Sequence, residues 1–168
     1  MSLTDRRDEQ KWRFGNPKDD NLIYFDPGVI KNNFCIAIIN DNITENSILH
    51  LKRCEQTIKG QLYDYSTLIE KNSSGGQIRV KNTETPFCIT QSPDSNITIQ
   101  QCRDNTVPIG KLQMWEKKGQ QIVNQSTGLC LSAEGALKSL NPGTIENTND
   151  VQPFINGTIL KATECIEL

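Results

Sequence analysis

Residues 113–131, Gln-Met-Trp-Glu-Lys-Lys-Gly-Gln-Gln-Ile-Val-Asn-Gln-Ser-Thr-Gly-Leu-Cys-Leu, decide the fold. The stretch holds an anchor (Gln113-Met114-Trp115), a turn, an apolar cluster at Ile122-Val123, and a cysteine, Cys130, between two leucines. The same order occurs twice more. Anchors stand at Gln10-Lys11-Trp12 and Gln61-Leu62-Tyr63, so the three are 51 and 52 residues apart. A period of that length marks stacked structural repeats. Leu22-Ile23-Tyr24 with Val29-Ile30 follows the first anchor, and Gln77-Ile78-Arg79-Val80 the second.

Each cluster leads to a cysteine among apolar residues: Phe34-Cys35-Ile36, Phe87-Cys88-Ile89 and Leu129-Cys130-Leu131. A further alternating segment then precedes a second cysteine. These are Ile48 to Leu51 before Cys54, Ile97-Thr98-Ile99 before Cys102, and Thr158-Ile159-Leu160 before Cys165. Runs of this length and alternation, separated by Gly, Asn, Pro and Asp, read as an all-β barrel or sandwich, and no stretch has a helical period. Six cysteines allow fifteen pairings in principle. The repeats select Cys35–Cys54, Cys88–Cys102 and Cys130–Cys165, because each pair brackets two neighbouring strands of one unit. The last pair encloses 132–157, rich in Asn, Gly and Pro, which is expected to be a surface loop.

The 168 residues suit one domain. Hydrophobic residues make up 35% and charged residues 23%, too apolar and too evenly clustered for disorder. A net charge of -2 without a basic run argues against nucleic acid. No segment has the roughly 18 apolar residues of a membrane span. One histidine, no Cys-x-x-Cys and an even cysteine count exclude a zinc site and imply an oxidising compartment, extracellular or secretory. Sequons at Asn42, Asn72, Asn96, Asn124 and Asn156 agree with it, although an Asn-rich chain also produces such triplets by composition. The opening Met1-Ser2-Leu3-Thr4-Asp5-Arg6-Arg7 does not read as a signal peptide, which suggests a mature chain or a domain of a larger secreted protein. No cofactor is implied.

The repeat resembles that of ricin-type β-trefoil lectins, from about Gln10 to Cys165. That family's unit runs Ile/Val strand, Asn, turn, Cys-Leu strand, alternating strand, Cys, Gln-x-Trp. The resemblance implies a β-trefoil of three four-stranded repeats, with units at about 22–65, 77–118 and 121–168 plus 9–14. The phase implies a permuted trefoil, in which the segment from Glu9 to Phe14 supplies the strand that the unit ending at Cys165 lacks. The alternative is a natural chain that continues beyond Leu168. Gln10, Trp12, Gln61, Tyr63, Gln113 and Trp115 are expected to be structural: aromatic rings in the barrel core, and amides tying down buried backbone.

The resemblance also implies where sugar would bind: an Asp two residues after the first cysteine, an aromatic two before the second, and an Asn before the anchor Gln. Those positions hold Ala37, Thr90 and Ser132, then Lys52, Gln100 and Thr163, then Glu9, Gly60 and Leu112. None carries the required chemistry. The expected function is a non-catalytic extracellular carbohydrate-binding module without the usual galactose sites. Remaining ligand candidates are His50, Lys52 and Arg53, a cationic slot for acidic or sulfated glycans, and, in the next unit, Thr90 and the polar run Thr98, Gln100, Gln101, Arg103, Asp104 and Asn105. A solvated basic edge and an ordinary polar strand face are the plainer readings of these two groups. The partner is a glycan or glycoprotein. Alternatives are a protein-interaction trefoil, as in inhibitors that act through exposed loops, or an accessory domain of a glycan-modifying enzyme. No catalytic residue is proposed: the cysteines are committed to disulfides, and His50 has no nucleophile placed beside it by any motif.

Overall fold

The computed structural model describes residues 8–15, 20–28, 33–137 and 155–166. Among them are twelve strands: β1 (Trp12–Phe14), β2 (Ile23–Phe25), β3 (Phe34–Ile38), β4 (Leu49–Arg53), β5 (Tyr63–Asp64), β6 (Arg79–Val80), β7 (Phe87–Gln91), β8 (Ile97–Gln101), β9 (Trp115–Lys118), β10 (Gln121–Asn124), β11 (Cys130–Ser132) and β12 (Lys161–Thr163). They form three antiparallel sheets, ordered β1-β2-β3-β4, β5-β6-β7-β8 and β9-β10-β11-β12. The chain is thus an all-β trefoil of three repeats. Strands form where β-branched and aromatic residues cluster, and they stop where Asn or Gly takes a left-handed backbone. Gly119, at φ 59°, turns β9 into β10.

Three features repeat around the molecule. First, each leading cysteine lies opposite the residue two before its partner: Cys35 opposite Lys52, Cys88 opposite Gln100, Cys130 opposite Thr163. That register brings the sulfurs together. The disulfides are Cys35–Cys54, Cys88–Cys102 and Cys130–Cys165, the pairs selected by the repeats. Second, the three hairpins bond to one another in a ring. Ser47 and Ile48 meet β8 at Ile99 and Thr98, Ser95 and Asn96 meet β12 at Ala162 and Lys161, and residues 157–160 run beside β4. Third, Trp12, Tyr63 and Trp115 are fully buried in one core with Ile36, Ile89 and Leu131. The indole N–H of Trp12 donates to the Leu131 carbonyl and that of Trp115 to the Ile89 carbonyl, each at 2.9 Å. Tyr63, with no indole, donates instead to the Gly60 carbonyl at 3.0 Å.

The anchor glutamines bracket the second cysteines. Gln61 donates to the Arg53 carbonyl and accepts from the Glu55 N–H, either side of Cys54. Gln113 does the same with Gln101 and Arg103 around Cys102. Gln10 does it with Glu164 and Ile166 around Cys165, across 154 and 156 residues of chain. The N-terminal anchor therefore latches the last hairpin, as the others latch theirs.

Some expectations differ from the structure. The third strand of the last unit is β12 at Lys161–Thr163, not Thr158 to Leu160, which lies beside β4 instead. The segment 132–157 is not simply a surface loop. Ala133, Ala136, Leu137 and Ile155, near its two ends, are fully buried, since Ala133 and Ala136 are small enough to pack beneath the N-terminal turn. Residues 138–154 of that segment, and Val29-Ile30, lie outside the described residues. Among the described residues α1 (Ser66–Ile69) and α2 (Pro108–Lys111) are single α-helical turns, each too short to leave a periodic trace in the sequence.

Replacing Gln113 by Ala strands the Arg103 N–H and the Gln101 carbonyl together. A buried amide of this kind is worth about 2 kcal/mol. Gln113→Ala is expected to lower the denaturant midpoint accordingly, while an exposed control such as Gln125→Ala leaves it nearly unchanged.

Candidate functional site

The family resemblance places a sugar acceptor at Ala37, Thr90 and Ser132, and these three are buried, at 2%, 3% and 2% exposure. The residue before each anchor glutamine is hydrogen-bonded to another segment of the chain. The Gly60 N–H donates to the Asp41 carboxylate at 2.6 Å. A Cβ on residue 60 would stand 2.5 Å from that same oxygen and 3.2 Å from Ile38 Cβ, so a side chain there would displace the Asp41 carboxylate from its bond. The Leu112 carbonyl accepts from the Gln91 N–H and from the Asn124 amide. Glu9 accepts from Gly135 and Leu137 through its carboxylate and from Ala133 through its carbonyl.

His50, Lys52 and Arg53 all lie on β4 but do not form one cationic cluster. Strand alternation puts His50 and Lys52 on one face and Arg53 on the other. Lys52 and Arg53 are exposed, whereas His50 is buried and is joined by a β-bridge to Ile159 of the last unit. Burial, and to a lesser degree the charge of Lys52, push the His50 imidazole below the usual histidine range, so it stays neutral.

Thr90 donates its hydroxyl to the Cys88 carbonyl at 2.9 Å and accepts from the Gln113 amide at 3.2 Å. Both bonds are internal, and the residue faces no solvent. Gln100 is half-buried. Its amide donates to Asn46 at 2.6 Å and to Thr98 at 3.0 Å, tying β8 to the neighbouring hairpin.

Asp104 has a different setting. It is exposed and accepts from the Thr106 N–H at 3.0 Å, which fixes its carboxylate in a turn. Gly110 of α2 packs directly against the Asp104 backbone, where a Cβ would stand 1.9 Å from the carbonyl oxygen. Asp104 lines a cleft of about 420 Å³ with Gln77, Arg79, Arg103, Asn105 and Met114. A second cleft of about 240 Å³ shares Gln77 and Arg79 and adds Asp64, Ser66 and Thr67. Gln77 sets the common wall. Its amide donates to the Arg103 carbonyl at 2.8 Å, and its oxygen accepts from Arg79 Nε and Nη2. Burial of Asp64 alone would raise its pKa, but the Ser66 N–H and the charges of Lys81 and Arg79 outweigh that and hold the carboxyl below the ordinary range. The polar run read from the sequence includes Arg103, Asp104 and Asn105 of this cleft. It does not include Gln77, Arg79 or Met114, which come from segments distant in sequence.

The model of the ricin-type β-trefoil lectin domain matches residues 26–153. This chain belongs to that family. The match covers more than half of the chain and takes in all of the second unit, including both clefts. No curated protein matches the chain. Domains of this family are carbohydrate-binding and generally non-catalytic modules. Among the described residues no helix is long and apolar enough to cross a membrane, and no group of three or more His, Cys, Asp or Glu is gathered as a metal site.

Neutral His50 makes stability depend on pH with a definite sign. The unfolded chain takes up the imidazole proton near pH 6.5, but the folded chain resists until lower pH. The contribution is therefore complete above about pH 6.5 and is lost as pH falls from there through the folded value. The wild type should lose melting temperature between about pH 7.5 and about pH 5.5, and His50→Gln should lose clearly less over the same interval. Equal losses would show that the imidazole does not set this dependence.

Proposed function

We propose that this chain is an extracellular, non-catalytic carbohydrate-binding module that has lost the galactose-type sites of its family. The observation that carries the reading is the burial of the acceptor position in all three repeats. A galactose-type site needs an acceptor, a stacking ring and a polar amide around a hollow. Here buried Ala37, Thr90 and Ser132 stand at the acceptor position, and the residues before the anchor glutamines are engaged elsewhere: the Gly60 N–H donates to Asp41, the Leu112 carbonyl accepts from Gln91, and the Glu9 carboxylate accepts from Gly135. Three disulfides and the sequons support placing the module outside the cytoplasm.

A glycan array probed with the full chain tests this directly. The expected result is no signal for galactose- or N-acetylgalactosamine-terminated glycans, with binding confined to other classes. Micromolar binding of either terminal sugar would overturn the proposal.

The extracellular part of the reading has its own readout. Asn124 is fully buried: its amide donates to the Leu112 carbonyl, and its oxygen accepts from the Ser126 and Thr127 N–H groups. A glycan there is incompatible with the folded unit, whereas Asn42, Asn72 and Asn156 are exposed. Peptide mapping of the protein secreted from a eukaryotic host should find glycan on one or more of these three and none on Asn124. Occupied Asn124 in folded, secreted protein would contradict the assignment.

A further inference from the structure

The paired clefts of the second unit are accounted for by neither the family's sugar slot nor the cationic edge of β4. They lie where β6 meets the loop after Cys102, and Gln77 and Arg79 form the ridge between them. The larger cleft is lined by two guanidinium groups, Arg79 and Arg103, against a single carboxylate, Asp104. The Arg103 side chain has no hydrogen-bond or ion-pair partner among the described residues, although its backbone is held at both ends: its N–H by Gln113 and its carbonyl by Gln77. Arg79 is oriented by the Gln77 oxygen, which engages one edge of its guanidinium. Arg79 is thus a preoriented donor and Arg103 an uncommitted one, and both suit a planar or tetrahedral anion. Asp104 and Asn105 supply acceptors for hydroxyls, and Met114 supplies an apolar wall. The smaller cleft, with Asp64, Ser66 and Thr67, is uncharged overall with Arg79 counted, and is polar throughout.

From this arrangement we infer that the second unit carries an anionic-disaccharide site. The acidic sugar, bearing a carboxylate or a sulfate, sits between Arg79 and Arg103, and its neutral neighbour lies over Asp64, Ser66 and Thr67. The inference rests on the carbohydrate-binding reading above and gives it a place and a ligand class. The site is assembled from β6, the loop after β8 and the start of α1, none of which contributes to the family's slot.

Titration calorimetry on the full chain tests it with four probes: the glucuronate–N-acetylglucosamine disaccharide, a 6-sulfated N-acetylglucosamine disaccharide, neutral diacetylchitobiose, and inorganic sulfate. At least one anionic disaccharide should bind, with neither diacetylchitobiose nor sulfate matching it. The first two probes distinguish carboxylate from sulfate as the anion. Arg79→Ala and Arg103→Ala should each weaken binding about tenfold or more, with unchanged melting temperature. The double variant Lys52→Ala/Arg53→Ala should bind as the wild type does.

Sulfate binding as tightly as the disaccharides would overturn the site, leaving an adventitious ion only. Loss of binding in the Lys52/Arg53 variant rather than in the arginine variants would overturn it in favour of the β4 edge. If the glycan array yields neutral ligands while both anionic disaccharides fail, this inference falls and the carbohydrate-binding reading stands. If no glycan binds at all, both fall.

Discussion

The primary amide of the anchor glutamine holds the trefoil together at three equivalent points. Each amide spans a second cysteine, satisfying the carbonyl before it and the N–H after it. These backbone groups leave the hairpin just where the disulfide pulls the chain out of the ladder, so no strand partner can reach them. Left unpaired near the core they would cost more than a typical hydrogen bond returns. The disulfide and the amide are thus complementary. The sulfur bridge fixes where the hairpin ends, and the glutamine makes that ending tolerable to the backbone. The aromatic ring two residues later then enters the core at the height of Ile36, Ile89 and Leu131.

This coupling is why so much of the fold is legible in the sequence. Gln113-Met114-Trp115 and its two copies state the period, and the cysteines state the register. Leucine, isoleucine and valine on either side of Cys130 or Cys88 need nothing further to form strands. Legibility fails where tertiary contact overrides local pattern. Thr158-Ile159-Leu160 alternates better than Lys161-Ala162-Thr163, yet the strand opposite Cys130 is the latter, because the cysteine bridge sets the register. His50 gives no local sign of burial. Its bridge partner is Ile159, more than a hundred residues later, which no pattern around β4 announces.

The functional surface was harder to read for the same reason. A family recipe can be checked position by position, and that check shows which side chains are missing from the slot. It does not show what the segments around those positions are bonded to. Asp41 reaching to Gly60, and Glu9 capping the turn at Gly135 and Leu137, are contacts across 19 and more than a hundred residues. The clefts around Arg79 pose the converse problem. Arg79 and Arg103 are unremarkable alone, and the bond from the Gln77 amide to the Arg103 carbonyl makes them one surface.

The latch formed by Gln10 also orders events in time. During synthesis, the second anchor can engage its cysteine loop as soon as it leaves the ribosome, because Cys54 precedes Gln61, and the third likewise follows Cys102. The first anchor is made earliest and has nothing to hold until Glu164 to Ile166 emerge. Trp12 meanwhile lacks the Leu131 carbonyl that receives its indole. β1 can pair with β2 early, but ring closure, the contact of greatest sequence separation among the described residues, waits for the last hairpin. Glu9 and Gln10 are bound into the last unit, so a change at either reaches the hairpin that closes the ring.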